Sequence, residues 1–347
     1  MGHLQVSVGD EVKSLQRTED GVVFEDGLLE LSDGREMAWR WWGDPDGKPV
    51  FRIQGTPSSR LQRNPDASVQ RNLGVRFLMA DRPGYGGSTR KPGRGIADIA
   101  DDYAQLLDAH GLDRVPAMGT SGGGPHVLAL AARHPDRVPA ATVVVGGTPL
   151  QGDEVARLVG VNARGYALAE EHPDRVPAAT VVVGGTPLQG DEVARLVGVN
   201  ARGYALAEEG WEPLHEFLVE IRERLVGDEG MQGVLSDAPA SDRAIMTDPL
   251  WQRMSRENIA ETLRQGAEGW TDESLAMHRE WDFDPADVKS SVTWWHGDDD
   301  MNAPLSAARR IVARLPGVDL RVWHDEGHFA SLIHDREIVA ELLSRSS

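Results

Sequence analysis

Three side chains of this sequence have the chemistry of a nucleophile, a base and an acid that orients the base. Ser121 is the central residue of a G-x-S-x-G pentapeptide, residues 119–123, and Asp300 and His328 follow it in that chain order. In such a set the histidine takes the proton of the serine hydroxyl, and the aspartate stabilises the imidazolium that forms. The residue types and their order therefore favour acyl transfer through a nucleophilic serine.

The glycines around Ser121 indicate a sharp turn between a strand and a helix. The apolar run Val115–Met118 predicts the strand, and helical spacing continues over Gly123–Arg133. A nucleophile in such a turn has a strained backbone, and larger side chains at positions 119 and 123 would collide with the neighbouring strand or helix. The alternative is a glycine-rich helix start that binds an anion or only turns the chain.

The candidate base, His328, follows the strand-like run Leu320–Trp323. A loop at that place brings the histidine to the carboxyl edge of the sheet. His324 is the rival base, although its position directly after the strand favours a structural role. A zinc site at His324-x-x-x-His328 would need both rings on one helix face, which Gly327 and the preceding strand disfavour.

Three consecutive aspartates compete for the role of the acid. They follow the strand-like run Ser291–His296 and precede Pro304, where a helix restarts. The spacing to Pro304 favours Asp300, whereas Asp298 is expected to cap or brace the loop. A calcium site formed by the three aspartates is a weaker alternative, because adjacent residues point apart.

Two backbone N–H groups must face the oxygen on which charge develops during acyl transfer. Gly122, the residue after the nucleophile, is predicted to supply one of them. Thr56, at the end of the strand-like run Val50–Gln54, is predicted to supply the other.

Strands alternate with helices along much of the chain, which is the pattern of parallel β-α-β units. The predicted strands are Leu28–Ser32, Met37–Trp42, Val50–Gln54, Gly74–Ala80, Val115–Met118, Thr142–Val145, Ser291–His296 and Asp319–Trp323. The predicted helices are Ile96–His110, Gly123–Arg133, Pro304–Leu315 and Asp335–Ser344. We therefore predict a polar N-terminal extension (1–26), a core in two parts (27–150 and 270–347) and a helical cap over the active site (151–269).

A stretch of 38 residues occurs twice in tandem without one difference, as residues 134–171 and 172–209. Two repeats are too few for a solenoid. Older functional repeats would have diverged in sequence, so the full identity indicates a recent duplication or an error in the sequence. The sheet has one position for the strand that each copy encodes, Thr142–Val145 or Thr180–Val183. We predict that the first copy takes it and that the extra segment, roughly residues 151–185, lies on the cap side.

Composition excludes several classes of function. The chain of 347 residues has a formal net charge of −19, which argues against nucleic acid and anionic membrane partners. It has no cysteine, so disulfides and thiolate chemistry are excluded. No signal peptide or long apolar run is visible, and we therefore expect a soluble cytoplasmic protein.

Five motifs in register resemble the α/β-hydrolase superfamily, and in particular bacterial serine hydrolases with a G-x-S-G-G-G-P elbow. The motifs are Gln54-Gly55-Thr56-Pro57, Asp81-Arg82-Pro83-Gly84-Tyr85-Gly86, Gly119–Pro125, His296-Gly297-Asp298-Asp299-Asp300 and Gly327-His328. The resemblance implies the α/β-hydrolase fold, a mostly parallel central sheet flanked by helices with a helical cap insertion. It also implies ester or related acyl hydrolysis without a cofactor. Gln54 departs from the family, which usually has histidine there, and His126 stands where an aromatic residue is common.

We therefore expect a serine esterase that acts on a small-molecule acyl substrate. One alternative is an aminopeptidase of the proline-iminopeptidase type on small amides, which a cluster of acidic residues in the cap would favour. The other is a non-catalytic protein of the same fold, either a ligand binder or a copy disabled by its duplication. The substrate and the oligomeric state are not determined by the sequence.

Overall fold

The computed structural model describes residues 15–148, 199–228, 230–231 and 238–346. Within these ranges nine strands form one sheet in the order β1-β2-β3-β5-β4-β6-β7-β8-β9. The strands are β1 Gln16–Arg17, β2 Val23–Glu30, β3 Glu36–Trp42, β4 Lys48–Ile53, β5 Val75–Ala80, β6 Ala117–Thr120, β7 Ala140–Val144, β8 Ser291–Gly297 and β9 Asp319–Trp323.

Helices cover both faces of the sheet and form the cap. They are α1 Ser68–Leu73, α2 Asp98–Ala109, α3 Gly123–Arg133, α4 Val199–Glu209, α5 Trp211–Val226, α6 Ala240–Met246, α7 Pro249–Thr262, α8 Glu268–His278, α9 Leu305–Val312, α10 Ala330–Ile333 and α11 Asp335–Arg345. In these parts of the chain, no helix combines the length and the apolar character needed to cross a membrane.

The mostly parallel sheet predicted by the sequence is confirmed. Neighbouring strands from β5 through β4, β6, β7 and β8 to β9 are parallel, whereas β1, β2 and β3 form an antiparallel extension at one edge. Parallel strands end at the same edge of the sheet, so the loops after β4, β6, β8 and β9 come together there. These four loops carry Thr56, Ser121, Asp300 and His328.

The first long strand begins earlier than the sequence indicates. The predicted strand started at Leu28, but β2 starts at Val23 and therefore reaches into the segment predicted as a polar extension. Phe24 packs on Trp42 with 5.6 Å between ring centroids, and the Arg40 guanidinium lies 4.1 Å from the centre of the Phe24 ring. These contacts with β3 bring a polar segment into the sheet.

The core lies on both faces of the sheet, as uninterrupted β-branched strands require. On one face, α2 and α3 pack against the sheet through Ile99, Leu106 and Val127. On the other face, α11 packs through Ile338 and Leu342.

Helices α4, α5, α7 and α8 form a separate apolar cluster above the carboxyl edge of the sheet. Leu214, Phe217, Ile221, Ile259 and Trp270 are buried together in it. The described residues from 199 onwards in the region predicted as a cap are therefore mostly helical, and residues 151–198 lie outside the described ranges. Helix α8 crosses residue 269, where the sequence placed the return to the core.

The first copy of the duplicated segment supplies the sheet strand, as predicted. Thr142 lies opposite Met118 in the parallel pairing of β7 with β6. The end of the second copy forms α4 of the cap. The second copy's Thr180–Val183 run and the predicted extra segment, residues 151–185, lie outside the described residues.

Candidate active site

Ser121 lies in the sharp turn between β6 and α3. Its φ is 51°, a left-handed backbone conformation that few residues other than glycine adopt. A β-carbon on Gly119 would lie 2.2 Å from the carbonyl oxygen of Gly123, and one on Gly123 would lie 2.3 Å from that of Ile53. The two flanking positions of the G-x-S-x-G motif therefore require glycine because the backbones approach closely.

The structure brings the three predicted side chains together. His328 Nε2 lies 2.9 Å from Ser121 Oγ, and His328 Nδ1 lies 2.8 Å from Asp300 Oδ2. The histidine is therefore hydrogen-bonded on one nitrogen to a hydroxyl and on the other to a carboxylate. This is the arrangement in which a serine can be deprotonated by a neutral imidazole.

Asp300 is fixed by its own loop. Its Oδ1 accepts hydrogen bonds from the backbone N–H groups of Asn302 and Ala303, both at 2.8 Å. Burial alone would raise the pKa of the Asp300 carboxyl, but the facing His328 outweighs burial and holds the pKa below its ordinary value. Burial likewise acts to lower the pKa of the His328 ring, yet the negative charge of Asp300 prevails and raises it. The pair therefore favours an ionised aspartate and a histidine of increased basicity.

The rival histidine lies away from the serine. The His324 side chain is 84% exposed, and its Nδ1 lies 2.8 Å from Asp298 Oδ2. Asp298 also accepts a hydrogen bond from the backbone N–H of Asp325, and it thus braces the loop as expected. Across the described parts of the chain, no group of three or more His, Cys, Asp or Glu side chains is placed to hold a metal ion.

A second carboxylate near the histidine was not found by sequence reasoning. Asp242, on helix α6 of the cap, is buried and accepts hydrogen bonds from the backbone N–H groups of His328 (2.9 Å) and Phe329 (2.8 Å). Burial is the main cause of a raised pKa for this carboxyl. The cap therefore holds the backbone of the residue whose ring faces Ser121.

The two residues predicted to donate to an oxyanion lie side by side. A β-carbon on Gly122 would lie 2.2 Å from Thr56 Oγ1, and one on Gly55 would lie 3.3 Å from Ser121 Cβ. Gln54 Nε2 donates to the carbonyl oxygen of Ala80 at 2.6 Å, which ties this loop to β5. The loop after β4 is therefore packed directly against the nucleophile turn.

A cavity of about 260 Å³ opens onto Ser121 and His328. Helix α5 lines it with Leu214, Leu218 and Ile221, and other cap helices contribute further apolar side chains. None of the described residues that line it is aspartate or glutamate. The cavity thus offers a mainly apolar surface that also carries the guanidinium groups of Arg52 and Arg63, beside the Ser121 hydroxyl and the His328 imidazole.

The profile of the alpha/beta hydrolase fold family matches residues 48–335, which is most of the chain. The chain belongs to the α/β hydrolase fold family. Within this family the sequence resembles several curated proteins over short stretches. The putative carbamate hydrolase RutD of a Caulobacter species (strain K31) is 40% identical over 73 residues, 20% of this chain and 27% of that protein. The bifunctional esterase/perhydrolase DCH of Acinetobacter calcoaceticus is 28% identical over 124 residues, 35% of this chain and 45% of that protein.

The fold also matches solved structures along nearly the whole chain. The enol-lactonase of Burkholderia xenovorans LB400 superposes with a TM-score of 0.58 at 17% identity, covering 92% of this chain and 100% of that one. By contrast, the chain spans less than half the length of the two curated relatives in its matches to them. The structural similarity of this α/β hydrolase family member to known proteins therefore covers more of the chain than the sequence similarity does.

Proposed function

We propose that the protein is a cofactor-independent serine hydrolase that cleaves carboxylic esters or related acyl substrates. The observation that carries the proposal is the pair of hydrogen bonds that His328 makes beside a mainly apolar cavity. Its Nε2 accepts from the Ser121 hydroxyl at 2.9 Å, and its Nδ1–H donates to Asp300 Oδ2 at 2.8 Å. The name of the relative DCH, an esterase/perhydrolase, agrees with it.

In the first half of the reaction, Ser121 Oγ attacks the acyl carbonyl while His328 Nε2 takes the hydroxyl proton. The carbonyl oxygen becomes an oxyanion, which the backbone N–H groups of Gly122 and Thr56 stabilise. His328 then gives the proton to the departing alkoxide, and an acyl-serine remains.

In the second half, water attacks the acyl-serine and His328 takes its proton. Collapse of the second tetrahedral intermediate releases the carboxylic acid, and the proton returns to Ser121 Oγ. Asp300 remains ionised throughout and stabilises the imidazolium that forms twice in each cycle.

The lining of the cavity favours a substrate with an apolar group and no free amine. An aminopeptidase would need a carboxylate to bind the amino group of its substrate, and none of the described lining residues has one. Each methylene group buried in an apolar site contributes about 0.8 kcal/mol, or roughly a fourfold increase in affinity.

The test is hydrolysis of p-nitrophenyl esters from acetate to decanoate, beside proline p-nitroanilide. We expect kcat/KM to rise with acyl length until the cavity is filled, and Ser121→Ala to abolish the activity. Faster cleavage of the amide would support the aminopeptidase. Absence of any hydrolysis by the folded wild-type protein would indicate a non-catalytic member of the family.

A further inference from the structure

A fully buried ionic cluster lies behind the loop that carries Thr56. Glu273 of helix α8 is its centre. Glu273 Oε1 lies 2.8 Å from Arg82 Nε and 2.9 Å from His126 Nε2, and Oε2 accepts a hydrogen bond from Arg94. All four of these side chains are 0% exposed. The reaction steps above use none of them.

Arg82 connects this cluster to three successive residues of the loop after β4. Its Nη1 donates to the carbonyl oxygen of Gln54 at 2.5 Å, and its Nη2 donates to the carbonyl oxygen of Gly55 at 2.6 Å and to Thr56 Oγ1 at 2.8 Å. Thr56 Oγ1 in turn donates to Glu273 Oε1 at 3.2 Å. One planar guanidinium therefore fixes the direction of the two peptide groups on either side of Gly55. The second of these groups contains the N–H of Thr56.

The cluster carries an excess of positive charge. Two guanidinium groups face one carboxylate, and burial keeps His126 neutral because it lowers the pKa of the ring. Tyr85 and Tyr103 beside the cluster are also neutral, since burial raises the pKa of each phenol. The nearby carboxylate of Asp272 has its own partner, Arg90, at 2.6 Å. In a dry interior, such a charge acts over a longer range than it would in water.

We propose that Arg82 is a positioning residue for the hydrolytic reaction. It holds the Gln54–Thr56 loop so that the Thr56 N–H meets the developing oxyanion, and Glu273 from the cap holds Arg82 in place. The inference rests on the proposed function, because it assigns a role within the same reaction. A buried ion pair is often only structural, and the test must separate the two roles.

The variants Arg82→Lys and Arg82→Met provide that test. Lysine keeps the charge but cannot span three acceptors, and methionine removes both the charge and the donors. For each folded variant, kcat and KM are measured on a p-nitrophenyl ester. We also compare the inhibition constants of a trifluoromethyl ketone of matching length and of its unfluorinated analogue. Ser121 Oγ adds to the trifluoromethyl ketone, and the adduct places an oxyanion in the same position as the reaction does.

We expect kcat to fall about 10–100-fold in Arg82→Met. This is less than the roughly 10²–10³-fold fall in kcat that follows loss of a direct oxyanion donor. The fall in kcat should be smaller still in Arg82→Lys. The trifluoromethyl ketone should lose affinity by the same factor as kcat/KM. The unfluorinated ketone and KM should change by less than about threefold, because ground-state binding does not use the oxyanion contact.

The matched control is Arg35→Met, which breaks a different, largely buried arginine–carboxylate pair outside the loop. Arg35 donates to both oxygens of Asp102, at 2.7 and 2.8 Å. This substitution should lower the melting temperature and leave kcat unchanged. If Arg82→Met fails to fold, Glu273→Gln is measured instead, because the amide keeps the shape of the side chain and one acceptor. The kcat of this variant and its affinity for the trifluoromethyl ketone should fall together.

Arg82 and Glu273 variants that only lower the melting temperature, as Arg35→Met does, would overturn the inference and leave the proposed function intact. The proposed function fails separately if Ser121→Ala keeps the activity. A folded wild-type protein that neither hydrolyses esters nor binds the trifluoromethyl ketone would overturn both.

Discussion

His328 is held by two carboxylates that act on different parts of the residue. Asp300 accepts the hydrogen bond of the ring at 2.8 Å, whereas Asp242 accepts the backbone N–H at 2.9 Å. Asp300 makes the larger contribution to the raised pKa of the imidazole, and the charge of Asp242 adds a smaller one. Asp242 also fixes the backbone position of His328 through its hydrogen bond.

The pH dependence of the reaction should report this division. The neutral ring is the base, so kcat/KM rises with pH through the pKa of His328, which Asp300 raises. The midpoint in the wild-type protein should therefore lie above about 6.5, the ordinary value for histidine. In Asp300→Asn the charge is lost, the pKa of His328 falls, and the midpoint should move to lower pH while kcat drops roughly 10⁴-fold.

The measurement is a pH profile of kcat/KM for both proteins, with Asp299→Asn as the control. Asp299 is exposed and adjacent in sequence, so its substitution should leave the midpoint in place. An unchanged midpoint in Asp300→Asn would mean that Asp300 does not set the basicity of the base.

Helix α5 is the element that most directly shapes the cavity. Leu214, Leu218, Ile221 and Leu225 follow one another at helical spacing, are all buried, and line the cavity. Val219 lies on the same helix and is 36% exposed. One face of the helix therefore lines the cavity, and the opposite face is turned towards solvent.

Filling the cavity from α5 should shorten the acyl chains that the protein accepts. Leu218→Trp adds bulk at the lining, so kcat/KM for p-nitrophenyl decanoate should fall at least about tenfold relative to acetate, the loss of two buried methylene groups or more. Val219→Trp, on the outer face, should leave the chain-length profile unchanged. Equal profiles for the two variants would show that acyl chains do not lie against α5.

Elements with strong local signals could be predicted from the sequence, and long-range contacts could not. The predicted bounds of α3 and β9 are those of the structure, because the helical spacing that begins at Gly123 and the apolar run that ends at Trp323 are local features. Asp242 meets His328 across 86 residues, and His126 meets Glu273 across 147. Neither contact leaves a pattern within one element. The early start of β2 was missed for the same reason, since its polar residues are stabilised by β3.

At the scale of the whole molecule, both copies of the duplicated segment contribute to the candidate site. From the first copy, the N–H of Gly147 donates to the carbonyl oxygen of Ser121 at 2.8 Å. From the second copy, Gly203 and Ala207 on α4 line the cavity. The described parts thus combine the start of one copy with the end of the other, which is the sequence that a single copy would supply.

Deleting residues 172–209 should therefore preserve the site and stabilise the protein. The connection between Thr148 and the start of α4 shortens from 50 residues (149–198) to 12, because 38 are removed. The entropic free-energy cost of closing the shorter connection is about 1 kcal/mol lower, which is equivalent to a rise of a few degrees in melting temperature. The deletion also removes a second β-branched run, which promotes aggregation when it is unpaired.

The measurements are soluble yield, melting temperature and esterase activity of the deletion variant beside the full chain. We expect the first two to rise and the third to be kept or increased. A deletion variant that is less stable, or that loses activity, would show that the molecule depends on the additional copy.

Covalent labelling of the folded protein with a fluorophosphonate tests the central claim most directly, because it reports an activated serine without knowledge of the substrate. Intact mass and peptide mapping should show one adduct per chain, on Ser121, that forms rapidly in the wild-type protein. It should be absent from Ser121→Ala and from heat-denatured protein. A folded wild-type protein that remains unlabelled, or a Ser121→Ala variant labelled at the wild-type rate, would contradict the account of Ser121 as the nucleophile.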